Sequence, residues 1–184
     1  MSKRVQKKKG FDPTDYFALH DIVLWTTSLR RENLFQADLH EGKCVTQSLR
    51  SVNPDVISVL LEGEDKPRDM LRTLVTLGVR EVFRDEKADE EIVLYSLEAT
   101  FAVDYFLSET LVPSPEEFQS FVTLNCVHNV WPFWRQHVYD TLKRASLPVP
   151  VIPLFTGNPV KKSKPQIMHA ETKRIAASAS DGDA

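Results

Sequence analysis

Between Val93 and Tyr105 the chain alternates more regularly than anywhere else. Val93, Tyr95, Leu97, Ala99, Phe101, Val103 and Tyr105 fall on one side of an extended segment, and Ser96, Glu98, Thr100 and Asp104 on the other. This predicts a long amphipathic strand with one face on a core. Leu71 to Phe83 repeats the pattern, with Thr73, Val75, Leu77, Val79 and Phe83 on one face and Arg72, Thr76 and Arg80 on the other. LHDIVLWTTSLRREN, from Leu19, sets Ile22, Leu24 and Thr26 against Val23, Trp25 and Leu29, which predicts a strand buried on parts of both faces. A shorter apolar run, PDVISVLL, is closed by Gly63 and a charged turn containing Pro67 and predicts another strand. Leu34 to Asn53 has a weaker pattern, with Gly42 and Asn53-Pro54 as breakers, and is expected to be a crossover or an irregular strand.

The period changes after Ser114. Ser114 can cap the first amides of a helix while Glu117 reaches back to it, and Pro115 at the first helical position gives up only an unused amide. From Trp131 the residues Trp134, Val138, Leu142 and Ala145 recur at helical spacing, with Arg135, Asp140 and Lys143 turned elsewhere. Pro132 has no amide for the carbonyl four residues back, which predicts a kink or break near His128 to Trp131. LPVPVIPLF then holds too many prolines for helix and is expected to run extended along the body.

Strands followed by helix, without βαβ alternation, predict an α+β fold: a four-stranded antiparallel sheet covered on one side by a long kinked helix. The domain is expected over residues 18–157. Residues 1–17 form a disordered or partly ordered tail that Phe11, Tyr16 and Phe17 could tie down, and 158–184 a disordered one.

Charge sharpens this division. Residues 1–9 carry five basic side chains and no acidic one, and residues 158–184 carry five basic and three acidic. That leaves 13 basic against 23 acidic in residues 10–157, a net of −10 behind the whole-chain value of −3. Such a body repels nucleic acid and favours basic partners. No apolar run approaches the roughly 20 residues of a membrane span, and no signal-peptide core follows the basic start, which predicts a cytoplasmic protein without membrane insertion. Cys44 and Cys126 have no CxxC spacing and are expected as free thiols.

Candidate chemistry is sparse. The six glycines stand singly, so there is no phosphate-cradling loop. Cys126 and His128 are two residues apart, which points them about 200° apart on a helix, and His137 does not repair that. Glu98 with Asp104, and Asp140 with His137, read as solvated or ion-paired groups. No metal, cofactor or catalytic residue is predicted, and the chain reads as a non-enzyme. Trp131, Phe133 and Trp134, by contrast, span about 300° of a helix and cannot all be hidden by one stripe. They point to self-association, to a groove for apolar peptide segments, or to both.

The segment CVHNVWPFWRQHVYDTLKRASLPVPVIPLF, with its aromatic-Pro-aromatic step, Arg, helix end and Pro-containing extension, resembles SecB, the bacterial export chaperone. LEATFAVDYFL, PSPEEF and WPFWRQHVYD bring it nearest to the SecB-like chaperones found with toxin–antitoxin systems. The resemblance implies a four-stranded antiparallel sheet with helices on one side, a homotetramer built as a dimer of dimers, and grooves for unfolded chains. It implies an ATP-independent chaperone that keeps non-native polypeptides soluble for export. The alternatives are a chaperone dedicated to one antitoxin and a plain oligomeric scaffold. Client contacts are expected at Trp25, Leu60, Val130, Trp131, Phe133 and Trp134, and subunit contacts at Val138, Leu142 and Ala145. The resemblance also brings in the motor SecA, against which two departures stand: no second amphipathic helix is recognisable after Phe155, and Ser96 takes the place of an acidic-patch carboxylate.

Overall fold

The computed structural model describes residues 10–85 and 90–155, so the expected tails lie outside the described residues at 1–9 and throughout 158–184. A 3-10 turn at Pro13–Asp15 leads into strand β1, Phe17–Arg31. A short helix α1, Ala37–His40, precedes β2, Cys44–Val59, and β3, Arg68–Asp85, pairs with β4, Glu90–Leu107. The helical part is α2, Pro115–Ser120, a π-helical segment Phe121–Cys126, and α3, Val127–Arg144.

The four strands form one antiparallel sheet in the order β1-β4-β3-β2. β2, β3 and β4 are a meander, whereas β1 lies beyond β4, so the connection through α1 crosses the sheet. β2 is the strand that the sequence understated. It runs unbroken through Asn53-Pro54, with Pro54 opposite Thr73. An edge strand needs only alternate amides for its one neighbour, so a proline there need not end it.

Both central strands follow the predicted alternation. Leu71, Thr73, Val75, Leu77 and Val79 stand beside Tyr105, Val103, Phe101, Ala99 and Leu97, and all are buried. β1 departs from it. Its register shifts between Leu19 and Asp21 and again between Leu24 and Thr26, so Ile22, Leu24, Thr27 and Leu29 all pair with core-facing β4 residues. An extra residue in a strand reverses the side on which the following residues lie.

The predicted capping box forms: Ser114 Oγ accepts from the Glu117 amide at 3.3 Å and Glu117 Oε2 accepts from the Ser114 amide at 2.8 Å. Helix continues through Pro132, and the expected break at His128–Trp131 is replaced by the π turns before it. The reason lies in the buried stripe, Val122, Cys126, Val130, Trp134, Val138 and Leu142, which recurs every four residues. Four α-helical residues overshoot one turn by about 40°, so such a stripe winds around the helix. The wider π turns offset this winding and keep the stripe over the sheet. Leu147 N–H bonds the Leu142 carbonyl at 2.9 Å and Ser146 N–H the Lys143 carbonyl at 3.1 Å, which closes the helix with Ser146 at φ 54°.

Candidate peptide-binding surface

α3 presents three stripes. The first, Val127, Val130, Trp134, Val138 and Leu142, is buried on the sheet. A second flank carries Phe133 and, one turn on, His137, whose Nε2 lies 2.8 Å from Thr27 Oγ1 of β1. The third flank, about 90° from the core on the other side, carries His128, Trp131, Arg135 and Tyr139 at spacings of three and four.

The third flank meets the chain's own extension. After Leu147, residues 148–155 form neither helix nor strand and run back along α3. Tyr95 Oη donates to the Pro148 carbonyl and Trp131 Nε1 to the Pro153 carbonyl, at 2.7 and 2.8 Å. Phe155 ends the strap with its ring centroid 5.4 Å from that of Trp131 and 5.9 Å from that of His128. The Arg50 guanidinium of β2 lies 5.9 Å from the Phe155 ring. The strap runs extended, as its prolines predict, in a channel walled by α3 and β2. Val149, Ile152 and Phe155 pack on the core, while Val151 is 93% and Leu154 71% exposed.

Two cavities flank this strap. One of about 450 Å³ opens between Pro132, Gln136 and Tyr139 of α3 and Val149–Ile152. The other, about 590 Å³, lies at the strap's start among Phe35, His40, Cys44, Glu81, Lys143 and Pro148. His40 is buried between the rings of Phe35 and Phe83, and its Nδ1 accepts the Gln36 amide at 3.0 Å, so a neutral ring carries its proton on Nε2. Burial raises the Cys44 thiol above its ordinary pKa, with Glu81 adding to the effect. Neither feature makes a nucleophile or a metal site, and among the described residues no group of three His, Cys, Asp or Glu side chains could hold a metal. What the channel offers is apolar and aromatic area, two fixed donors for main-chain carbonyls and one cation over an aromatic ring.

The predicted contact residues separate accordingly. Trp131 lines the channel. Phe133, 51% exposed, lies on the opposite flank of α3. Val130 and Trp134, expected at the client, and Val138 and Leu142, expected at a subunit interface, are all buried inside the protomer, which leaves their side chains no surface to present. Ala145 is half-buried against the core, and its carbonyl accepts from Arg31. Leu60 lies just past β2, exposed and outside the core cluster. Trp25 lies on the outer face of the sheet, where Arg72 is 5.5 Å from its ring, because it alternates with Leu24, whose partner Phe101 faces the helix. Arg72 also bonds Asp104 through both oxygens, at 2.9 and 2.7 Å, so that carboxylate is neutralised. The sequence reading missed His128, Tyr139, Arg50 and Phe155. The first two were within reach, since 128, 131, 135 and 139 form a helical stripe.

No protein-family model matches the sequence, and no curated protein matches it either. Among solved structures the chain is similar to the Rv1957 SecB-like chaperone of Mycobacterium tuberculosis, in complex with a ChAD peptide from the HigA1 antitoxin. The likeness has a TM-score of 0.52 at 14% identity and covers 80% of this chain and 96% of that one. On this likeness, the chain has the fold of the SecB-like chaperones.

Proposed function

We propose that this chain is an ATP-independent molecular chaperone that holds extended apolar segments of non-native polypeptides and keeps them soluble for export or delivery. The observation that carries the reading is the α3–β2 channel, where an extended, proline-rich segment is held by apolar and aromatic contacts and by carbonyl hydrogen bonds. A surface of this kind accepts many sequences, because it reads main-chain carbonyls and apolar bulk. The −10 charge of residues 10–157 steers basic segments toward it. A dedicated antitoxin chaperone is the second reading, favoured by the antitoxin peptide bound to the similar mycobacterial protein.

Self-association is part of the proposal. Exposed Phe133, with exposed Leu24 and the unpaired outer edge of β1 on the same side, is offered to a second copy on the way to a cytoplasmic homotetramer. The reading does not require SecA, since Ser96 stands where an acidic-patch carboxylate would lie. Light scattering of an aggregating unrelated protein tests it: the chain suppresses the signal without ATP in proportion to its concentration. An oligomer that leaves aggregation unchanged would make the chain a scaffold instead.

A further inference from the structure

Building on the chaperone reading, we infer that the α3–β2 channel takes an extended segment that places an aromatic ring two residues after the carbonyl bonded by Trp131. We also infer that the chain's own Pro148–Phe155 fills the channel as a built-in competitor. The strap is held as a ligand would be. Trp131 Nε1 donates to the carbonyl of Pro153, and the ring two residues later packs on Trp131 beneath Arg50. Tyr95 holds a second carbonyl five residues earlier. Among the described residues, no main-chain to main-chain hydrogen bond ties residues 148–155 to the body. Three of the eight strap residues are prolines, which have no amide to donate, so the channel recognises carbonyls and side chains only.

Such an attachment is reversible. Two of the strap's large apolar residues, Val151 and Leu154, point into solvent, so the apolar side chains that release would uncover are chiefly Val149, Ile152 and Phe155. An incoming segment with the same carbonyl and ring spacing makes the same bonds. It must first displace the strap, so its apparent affinity is reduced by the fraction of molecules whose channel is open. The strap thereby sets a threshold: segments with an aromatic anchor enter, and weakly apolar ones do not.

The test uses the full chain, Phe155→Ala, and a chain with Val149–Phe155 replaced by glycine and serine. The probes are the free peptide PVPVIPLF, its analogue PVPVIPLA and a labelled, reduced and carboxymethylated unfolded protein. The free peptide and the unfolded protein are expected to bind both variants roughly tenfold more tightly than the parent. They are expected to compete with each other, and PVPVIPLA to compete poorly. With the parent alone, excess PVPVIPLF displaces the unfolded protein, which keeps the test valid if the variants fold badly. Equal client affinity in all three chains, or peptide and client bound together, overturns this inference and leaves the chaperone reading intact. Absence of client binding in every chain overturns both, and reduces the strap to a structural latch.

Discussion

Trp134 and Phe133 are neighbours in sequence with opposite surroundings, and their alanine substitutions make a matched pair. Trp134 is 2% exposed at the centre of the buried stripe, whereas Phe133 is 51% exposed on the β1 flank. A buried aromatic side chain removes about 150–250 Å² from water, worth about 4–6 kcal/mol at roughly 25 cal/mol per Å². Because the unfolded chain already buries part of that area, Trp134→Ala is expected to cost about 4 kcal/mol. In a chain of 184 residues that lowers the melting temperature by about 8–16 °C. Phe133→Ala is expected to change protomer stability by less than about 1 kcal/mol. Its effect should appear instead as a lost dependence of melting on protein concentration. Urea unfolding followed by circular dichroism at several concentrations measures both. A Trp134→Ala loss below about 1 kcal/mol with an unchanged slope would refute the packing argument. An equal loss in Phe133→Ala would refute the assignment of the two flanks.

Three further outcomes follow from particular residues. Ser146 adopts φ 54° at the end of α3, so Ser146→Gly should stabilise by about 0.5–1 kcal/mol, and a loss would contradict the left-handed helix stop. Burial lowers the His137 pKa, with Asp140 opposing, so the folded chain binds that proton later than the unfolded chain as pH falls. Stability present above about pH 6.5 should therefore decline as pH drops through the lowered value, and His137→Gln should flatten that part of the pH profile. Burial pushes the Cys126 thiol up to about 11, so a thiol reagent should reach Cys126 only on unfolding and the partly buried Cys44 sooner. Equally fast native labelling of both would place Cys126 outside the core.

Much of the fold was legible because two physical periods are strong in this chain. β3 and β4 each have one face on the helix, and the resulting alternation named the helix-side residues Val75, Leu77, Val79, Leu97, Ala99, Phe101 and Val103, although Met70, Leu94, Ala102 and Asp104 are buried as well. The capping box at Ser114 was legible because its partners are three residues apart. Where the reading failed, the cause lay in neighbours that local sequence does not contain. Pro54 looked like a breaker because nothing in residues 44–59 shows that β2 is an edge strand. Leu29 was set on the side away from Ile22 and Leu24 because bulges in β1 are invisible to a count of alternate residues. Trp134, Val138 and Leu142 were recognised as one helical stripe, but spacing alone does not say whether a stripe meets its own sheet or another molecule. The strap's extended course followed from its prolines. Its partners did not, since Tyr95 and Pro148 are 53 residues apart.

The central claim is that the channel beside Trp131 holds non-native polypeptide, and a titration of a labelled, reduced and carboxymethylated unfolded protein without ATP tests it most directly. At low and high salt the parent should bind in both conditions, because apolar burial is not screened, while association slows as the acidic body's field is damped. Trp131→Ala should weaken the complex more than any single change of a surface carboxylate. Absence of binding by the parent at either salt concentration would contradict the account.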